Sequence, residues 1–318
     1  MTKDVDSQRD GFERKRLGFM ADQGFDGEGR RIVARSSRST YVMVSGEGTP
    51  SRLLIHGGLS EGSVWAVLAG RLDGRIVVAD RPGCGLSDPV DYRKVDSYRD
   101  AAAEWADEVV ESLGEDQVDV VGNSMGGYFA IAFAAAHPKR VRRLVLIGHP
   151  AGLGGEVPVF FRLWANPVTE RIIRRLKFKD VDQFRSRVYP TLVAHPERVP
   201  KGLAEVEFAA GNLPDFSLTA YTMFRSLISL RGWRADQMLV EALTSLKTPT
   251  LFVWGASDLT APPSKGQPIA DRMLNAEFEV IEDAGHMPWI DQPDQVAHLV
   301  NDFLDSRAAP SEGTDSAR

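Results

Sequence analysis

The feature that most constrains this chain is the stretch VDVVGNSMGG, residues 118–127, where an apolar run ends on Ser124 between two glycines. In a G-x-S-x-G turn from a strand into a helix, the serine adopts a strained conformation that holds its hydroxyl above the sheet. Side chains two positions before and after it would collide, and glycine at 122 and 126 avoids that crowding. The helix predicted to begin at Met125 directs its free N–H groups at the same spot. The stretch therefore predicts a nucleophilic serine placed where an oxyanion would form.

A nucleophilic serine needs a general base and an acid that orients the base. The segment EVIEDAGHMPWIDQPD ends a predicted strand and carries His286 in the loop that follows, and LFVWGASDLTAPP ends an earlier strand with Asp258. The chain order Ser124, Asp258, His286 is typical of a serine on a strand-to-helix turn. We predict that His286 is the base and Asp258 the acid, although Asp283 and Asp291 lie closer to His286 in sequence.

The oxyanion also needs backbone donors, and LLIHGG supplies flexible glycine directly after another buried strand. We predict that the N–H groups of Gly58 and Met125 form the oxyanion hole, with Leu59 as the alternative to Gly58. We interpret His56 as a structural histidine that hydrogen-bonds the turn.

Short β-branched runs alternate with segments of helical period along most of the chain, which predicts an α/β fold with a mostly parallel central sheet flanked by helices. The predicted strands are Tyr41–Val44, Arg52–Ile55, Arg75–Asp80, Val118–Gly122, Val141–Ile147, Thr250–Trp254 and Glu277–Ile281. The predicted helices alternate with most of these strands and span about Ser97–Leu113, Met125–Ala136 and Gln295–Asp305.

The alternation breaks once, over residues 151–247, where helical patterns and several prolines occur without a convincing strand. That stretch is too long for a loop, so we predict an inserted helical cap. The core would then comprise residues 31–150 and 248–306. Residues 1–30, an N-terminal extension, and the C-terminal tail 307–318 are expected to be loosely held ends.

Composition limits the classes of partner. The 318 residues are 43% hydrophobic and 26% charged with a formal charge of -6, so no basic footprint for nucleic acid or an anionic membrane is present. We expect a small-molecule substrate. Residues 1–10 lack the apolar core of a secretory signal and no run approaches 18 apolar residues, so we expect a soluble, cytoplasmic protein. Cys84 is the single cysteine and the six histidines are scattered, so we expect no metal site.

Five stretches together resemble the α/β-hydrolase fold family, in the branch with a helical cap: HGG, DRPGCGLSD, GNSMGG, WGASD and GHMPW. The resemblance covers about residues 31–306. It implies a triad of Ser124, Asp258 and His286, no cofactor, and a substrate pocket between core and cap. It also implies a structural role for the turn Asp80–Asp88.

The resemblance leaves several activities open. Haloalkane dehalogenases and soluble epoxide hydrolases need an aspartate where this chain has Ser124, so we do not expect their chemistry. We expect hydrolysis of an ester, lactone or similar acyl bond in a small, largely apolar molecule. One alternative is cleavage of the carbon–carbon bond of a ring-cleavage diketone, although HGGLSEGSVW lacks the usual Gly-Pro-Gly. A peroxide-dependent perhydrolase would use the same triad, and a slow or non-catalytic ligand-binding protein on this fold is a further alternative.

Overall fold

The computed structural model describes residues 2–33, 35–154, 157–173, 175 and 177–306, with the side chains of 2–5, 170 and 173 left out. The predicted tail, 307–318, lies outside the described residues. The strands are β1 (Gly27–Val33), β2 (Ser39–Ser45), β3 (Arg52–Ile55), β4 (Ile76–Ala79), β5 (Val118–Asn123), β6 (Val141–Ile147), β7 (Ile228–Ser229), β8 (Gly232–Trp233), β9 (Thr250–Gly255) and β10 (Ala276–Ile281).

Helices connect most of these strands and cover the sheet. They are α1 (Thr2–Asp22), α2 (Ala66–Ala69), α3 (Tyr98–Ser112), α4 (Met125–Ala136), α5 (Val159–Trp164), α6 (Glu170–Ile173), α7 (Val181–Val188), α8 (Lys201–Gly211), α9 (Phe216–Leu227), α10 (Val240–Thr244), α11 (Pro263–Ala270), α12 (Pro288–Asp291) and α13 (Pro293–Asp305). Within the described part of the chain, no helix combines the length and the apolar character needed to cross a bilayer.

Eight strands form the central sheet in the order β1-β2-β4-β3-β5-β6-β9-β10. The pairs from β4 to β10 are parallel, whereas β1 with β2 and β2 with β4 are antiparallel. The predicted α/β fold with a mostly parallel sheet is confirmed. Because β3, β5, β9 and β10 run in the same direction, the loops that follow them meet at one edge of the sheet.

Hydrophobic side chains cover both faces of the sheet, as a parallel sheet requires. Along β3, Leu53 and Ile55 pack into the core on one face and Leu54 into the core on the other, all three with 0% exposure. Burial on both faces explains why the central strands read as continuous apolar runs.

The expectation that residues 1–30 form a loosely held end is wrong. They comprise α1 and the start of β1, an edge strand of the sheet. Phe19 and Met20 follow Phe12 by seven and eight positions, which places all three on one side of α1, and they are buried in the core. Helix α1 also packs on α8. The N-terminal segment is therefore an integral layer of the fold.

Helices α5 to α10 lie between β6 and β9, in the segment predicted to be a helical cap. The boundaries of that cap segment (residues 151–247) stay a prediction. The sequence shows no convincing strand in this segment, but the structure contains two short ones, because β7 and β8 pair as an antiparallel hairpin. These strands of two residues each are too short to give an alternating pattern in the sequence.

Candidate active site

Ser124 lies between the end of β5 and the start of α4, with φ 51° and ψ -111°. Positive φ is rare for a residue with a side chain and indicates strain that the surroundings hold. A Cβ built on Gly126 would lie 1.8 Å from the carbonyl oxygen of Ile55, and one on Gly122 would lie 2.7 Å from the carbonyl oxygen of Gly126. Gly126 is therefore required for this turn to pack against β3, and Gly122 for the end of β5 to pass close to the start of α4.

His286 and Asp258 meet at the same sheet edge. His286 Nδ1 lies 2.8 Å from Asp258 Oδ2, and each residue is only 4% exposed. The Asn123 side chain donates to the carbonyl oxygen of His286 at 3.3 Å, which ties the residue before Ser124 to the histidine loop. The structure thus brings together the loops that carry the three residues of the predicted triad.

Asp258 accepts further hydrogen bonds that fix its carboxylate. The backbone N–H of His149 donates to Oδ2 at 3.0 Å, and the N–H and hydroxyl of Thr260 donate to Oδ1 at 2.8 and 2.6 Å. Burial raises the pKa of Asp258, but His286 and the Thr260 donors outweigh it and hold that pKa at about 2. The carboxylate is therefore ionised at neutral pH and oriented toward the imidazole.

The two rival acids have other partners. Asp283 Oδ2 lies 2.7 Å from His195 Nε2, and the Asp283 side chain is 59% exposed. Asp291 is buried and accepts from the backbone N–H groups of Gly285, Ala194 and His195 at 2.8 to 3.0 Å. Neither carboxylate contacts the imidazole of His286 in the described structure.

The loop after β3 lies against the start of α4. A Cβ built on Gly57 would lie 3.5 Å from Ser124 Cβ, and one on Gly58 would lie 3.7 Å from Met125 Cβ. The backbone of Gly58 and the first residue of α4 are therefore close neighbours, as two donors to one oxyanion must be. Their role in an oxyanion hole stays a prediction.

His56 has the structural environment expected for it. Its ring is fully buried and Nε2 accepts the backbone N–H of Arg81 at 3.0 Å, so Nδ1 carries the proton and donates to the Gly57 carbonyl at 2.9 Å. Burial, reinforced by the Arg81 charge, lowers the pKa of His56 well below its usual value. The Arg81 guanidinium also donates to the carbonyls of His56 and Gly57. These contacts fix the loop that precedes Gly58.

Sequence reasoning missed His149 and Thr260. Thr260 Oγ1 lies 3.1 Å from His286 Nδ1 as well as 2.6 Å from Asp258, and its place two residues after the acid was the available signal. His149 follows β6 and packs its ring on Trp254, with 5.4 Å between ring centroids. Burial, with the neighbouring His286, lowers the pKa of His149 to about 4, so the ring is neutral at pH 7. The position of His149 directly after a parallel strand was the only signal in the sequence.

Residues 53–293 match the α/β-hydrolase fold family. The chain belongs to that family. Relatives of this hydrolase include the 2-hydroxymuconate semialdehyde hydrolases of Pseudomonas sp. (strain CF600) and Pseudomonas putida, which are 30% and 31% identical to it. Each alignment covers 87% of this chain, and 93% and 94% of the respective relative. The family of the chain is thus the one that its motifs resemble.

Solved structures of this fold also superimpose on the hydrolase. A carboxylesterase from Bacillus subtilis gives a TM-score of 0.74 at 20% identity, covering 95% of this chain and 100% of the esterase. A meta-cleavage product hydrolase from Pseudomonas fluorescens IP01 gives 0.68 at 24% identity, covering 87% and 97%. At these identities the likeness concerns the fold. Among the described residues of this hydrolase, no cluster of His, Cys, Asp and Glu could hold a metal ion.

Proposed function

We propose that this α/β-hydrolase is a serine hydrolase that breaks a bond to a carbonyl carbon through an acyl-enzyme. Ser124 is the nucleophile, His286 the general base and acid, and Asp258 the acid that orients the imidazole. The observation that carries the proposal is the buried 2.8 Å contact between His286 Nδ1 and Asp258 Oδ2, on loops tied to the strained turn at Ser124.

The proposed reaction proceeds in two halves. The Ser124 hydroxyl adds to the carbonyl carbon while its proton passes to His286, and the Asp258 carboxylate stabilises the imidazolium. The oxyanion accepts from the N–H groups of Gly58 and Met125 at the start of α4. Collapse expels the leaving group, which takes the proton from His286, and water then releases the acid by the same route.

We propose a carbon–carbon bond as the natural target. Relatives named as hydrolases of 2-hydroxymuconate semialdehyde and of 2-hydroxy-6-oxo-6-phenylhexa-2,4-dienoate, the latter from Burkholderia cepacia at 27% identity, support this choice. In such a substrate the departing carbon would carry its electron pair into the conjugated chain and gain a proton, leaving the acyl group on Ser124.

An ester or lactone is the second candidate. The stretch after His56 and Gly57 is Gly-Leu-Ser and lacks the Gly-Pro-Gly that ring-cleavage hydrolases usually carry. The same acyl-enzyme chemistry serves an oxygen leaving group, which is easier to expel than carbon. The difference from the Gly-Pro-Gly motif, in the loop beside Ser124, is the observation that favours an ester or lactone substrate.

One set of assays separates these functions. We expect the absorbance of 2-hydroxymuconate semialdehyde or of the phenyl dienoate to fall with steady turnover, and p-nitrophenyl esters to react more slowly in kcat/KM. Faster ester turnover with no reaction of either dienoate would assign the ester function. A ligand-binding protein would give at most one slow turnover with any of them.

The nucleophile is tested independently of the substrate. After treatment with a fluorophosphonate, intact-mass measurement should show one adduct on the wild-type protein and none on Ser124→Ala. An equal adduct on both proteins would overturn the assignment of Ser124.

A further inference from the structure

The loop that carries Gly58, residues 57–62 (here the oxyanion loop), contains a strained residue of its own. Leu59 has φ 56°, in the left-handed region that residues with side chains rarely adopt. Gly58, Leu59 and Ser60 are also partly exposed, whereas the residues on either side are buried. A strained, partly exposed turn persists only when contacts on both sides hold it.

The core and α1 hold the far end of the oxyanion loop. Asp80 Oδ1 accepts the N–H of Gly62 at 2.9 Å, and Glu61 Oε2 accepts the N–H of Ser63 at 3.0 Å. Arg16 of α1 bridges these two carboxylates through Nη1, at 2.8 Å from Asp80 and 3.1 Å from Glu61. All of these charged side chains have 0% exposure, so this end of the loop is fixed in the interior.

The cap segment holds the middle of the loop through one carboxylate. The Ser60 hydroxyl donates to Oε1 of Glu207, on α8, at 2.6 Å, and the Tyr189 hydroxyl donates to Oε2 at 2.5 Å. Glu207 is 9% exposed, and burial raises its pKa, although the two hydroxyl donors act in the opposite direction. An apolar side chain at this position would avoid that loss of solvation, so the carboxyl is best explained by the contact that it makes.

We propose that Glu207 is a positioning residue, which holds Ser60 so that the strained turn at Leu59 aims the Gly58 N–H at the oxyanion. Because Glu207 belongs to α8 of the cap segment, the oxyanion hole is complete only while α8 is seated on the core. The docking of α8 on the core and the geometry of the oxyanion hole are thereby linked. The inference rests on the proposed acyl transfer at Ser124.

The test compares Ser60→Ala, Glu207→Ala and Glu207→Gln. We expect each alanine variant to lower kcat about tenfold to a hundredfold with KM changed less than about twofold, since only the transition state uses the hole. Glu207→Gln keeps an acceptor for Ser60 and should recover to within about threefold of wild type. The double alanine variant should be no slower than the slower single variant, because both remove one contact.

The matched control is Glu205→Ala, on the same helix. Its carboxylate pairs with Lys15 at 3.0 Å near the surface, and kcat should stay within about twofold of wild type. A second readout is binding of a boronic acid that forms an oxyanion mimic on serine. Its affinity should fall in parallel with kcat in Ser60→Ala, whereas affinity for the carboxylic acid product should not change.

Normal kcat in a folded Ser60→Ala protein would overturn the inference, and so would losses in the single variants that multiply in the double variant. If Glu207→Ala fails to fold, Ser60→Ala alone decides, because it removes only a partly exposed hydroxyl. A failure of the proposed function looks different, since wild type would then show neither turnover nor a fluorophosphonate adduct on Ser124.

Discussion

Replacing Asp258 by Asn changes one atom of the candidate triad and removes the charge that stabilises His286. Both carboxylate oxygens already accept N–H or O–H donors from His149, Thr260 and the imidazole. An amide nitrogen at either oxygen position would therefore face a donor. If it lies beside His286, the imidazole must place its proton on Nε2, which is the tautomer that cannot accept a proton from Ser124.

The structure gives the size of the effect. Opposite unit charges at the observed 2.8 Å attract by about 6 kcal/mol at an effective dielectric constant near 20. A loss of about 5.4 kcal/mol in transition-state stabilisation corresponds to a 10⁴-fold fall in kcat, the size reported for such a change in a serine triad. We therefore expect Asp258→Asn to lower kcat by about 10⁴. The unmatched buried donor should also destabilise the fold by about 1–3 kcal/mol.

The assay is steady-state turnover of whichever substrate the wild type accepts, with a thermal melt of each variant as the folding control. Asp283→Asn is the matched control, because this carboxylate is 59% exposed and pairs with His195, and its kcat should fall tenfold or less. Asp291→Asn should likewise keep kcat within about tenfold. Near-normal turnover by a folded Asp258→Asn protein would refute the reasoning.

Three further predictions concern stability, each measured by urea unfolding. A Cβ on Gly126 would lie 1.8 Å from a β3 carbonyl oxygen, so Gly126→Ala should unfold the protein or destabilise it by more than about 3 kcal/mol. Gly18→Ala, with open space on α1, should instead stabilise the protein by about 0.5–1 kcal/mol. Equal changes in the free energy of unfolding for the two variants would refute the packing argument. Arg16→Met removes the guanidinium shared by two buried carboxylates and should cost about 3–5 kcal/mol, against about 0.5 kcal/mol or less for exposed Arg14→Met. A small loss would mean that the two carboxylates do not depend on Arg16. His149 has a pKa of about 4 in the folded protein but gains a proton near pH 6.5 when unfolded, so the free energy of unfolding should fall by up to about 3 kcal/mol as the pH drops from 6.5 to 4. His149→Phe should make the free energy of unfolding less dependent on pH over this range. The same pH dependence in wild type and variant would contradict the prediction.

The central strands could be predicted because burial on both faces leaves a plain signal. β3 and β6 begin and end where the β-branched runs predict, and α4 matches its predicted bounds. β1, in contrast, reads GEGRRIV and has only Ile32 buried, because it is an edge strand with one exposed face and one neighbour. Charged residues and glycines are also typical of a loosely held chain end, so no local sequence pattern distinguishes this edge strand from such an end.

Two of the helices that were not predicted, α11 and α1, have sequences that conceal them in different ways. α11 contains Gly266 and Pro268, which ordinarily argue against a helix, and its Gly266 packs against Trp254 where a Cβ would lie 2.4 Å from the ring. α1 is rich in charged residues, and its apolar residues form only a narrow stripe along the helix. In both cases tertiary packing outweighs local preference.

The candidate site likewise contains residues that the sequence predicts and residues that it does not. Ser124, Asp258 and His286 could be placed from sequence because each follows a recognisable strand and their order fits one architecture. Thr260 and His149 could not, since their contacts with Asp258 depend on how two loops fold back on the acid. A sequence motif specifies which groups meet, whereas the groups that orient them are set by loop geometry.

The charged side chains behind the oxyanion loop also could not be predicted to meet from the sequence. Arg16 and Glu61 are 45 positions apart in the chain, and Ser60 and Glu207 are 147 apart, so no local spacing predicts that they meet. Sequence reasoning assigns each Glu a solvated, charged side chain. Burial raises the pKa of both glutamates, and the nearby Asp80 adds to the effect on Glu61 while Arg16 opposes it. Because one guanidinium is shared between Glu61 and Asp80, the charge carried beside the oxyanion loop is a property of the tertiary structure and follows from where α1 and α8 dock.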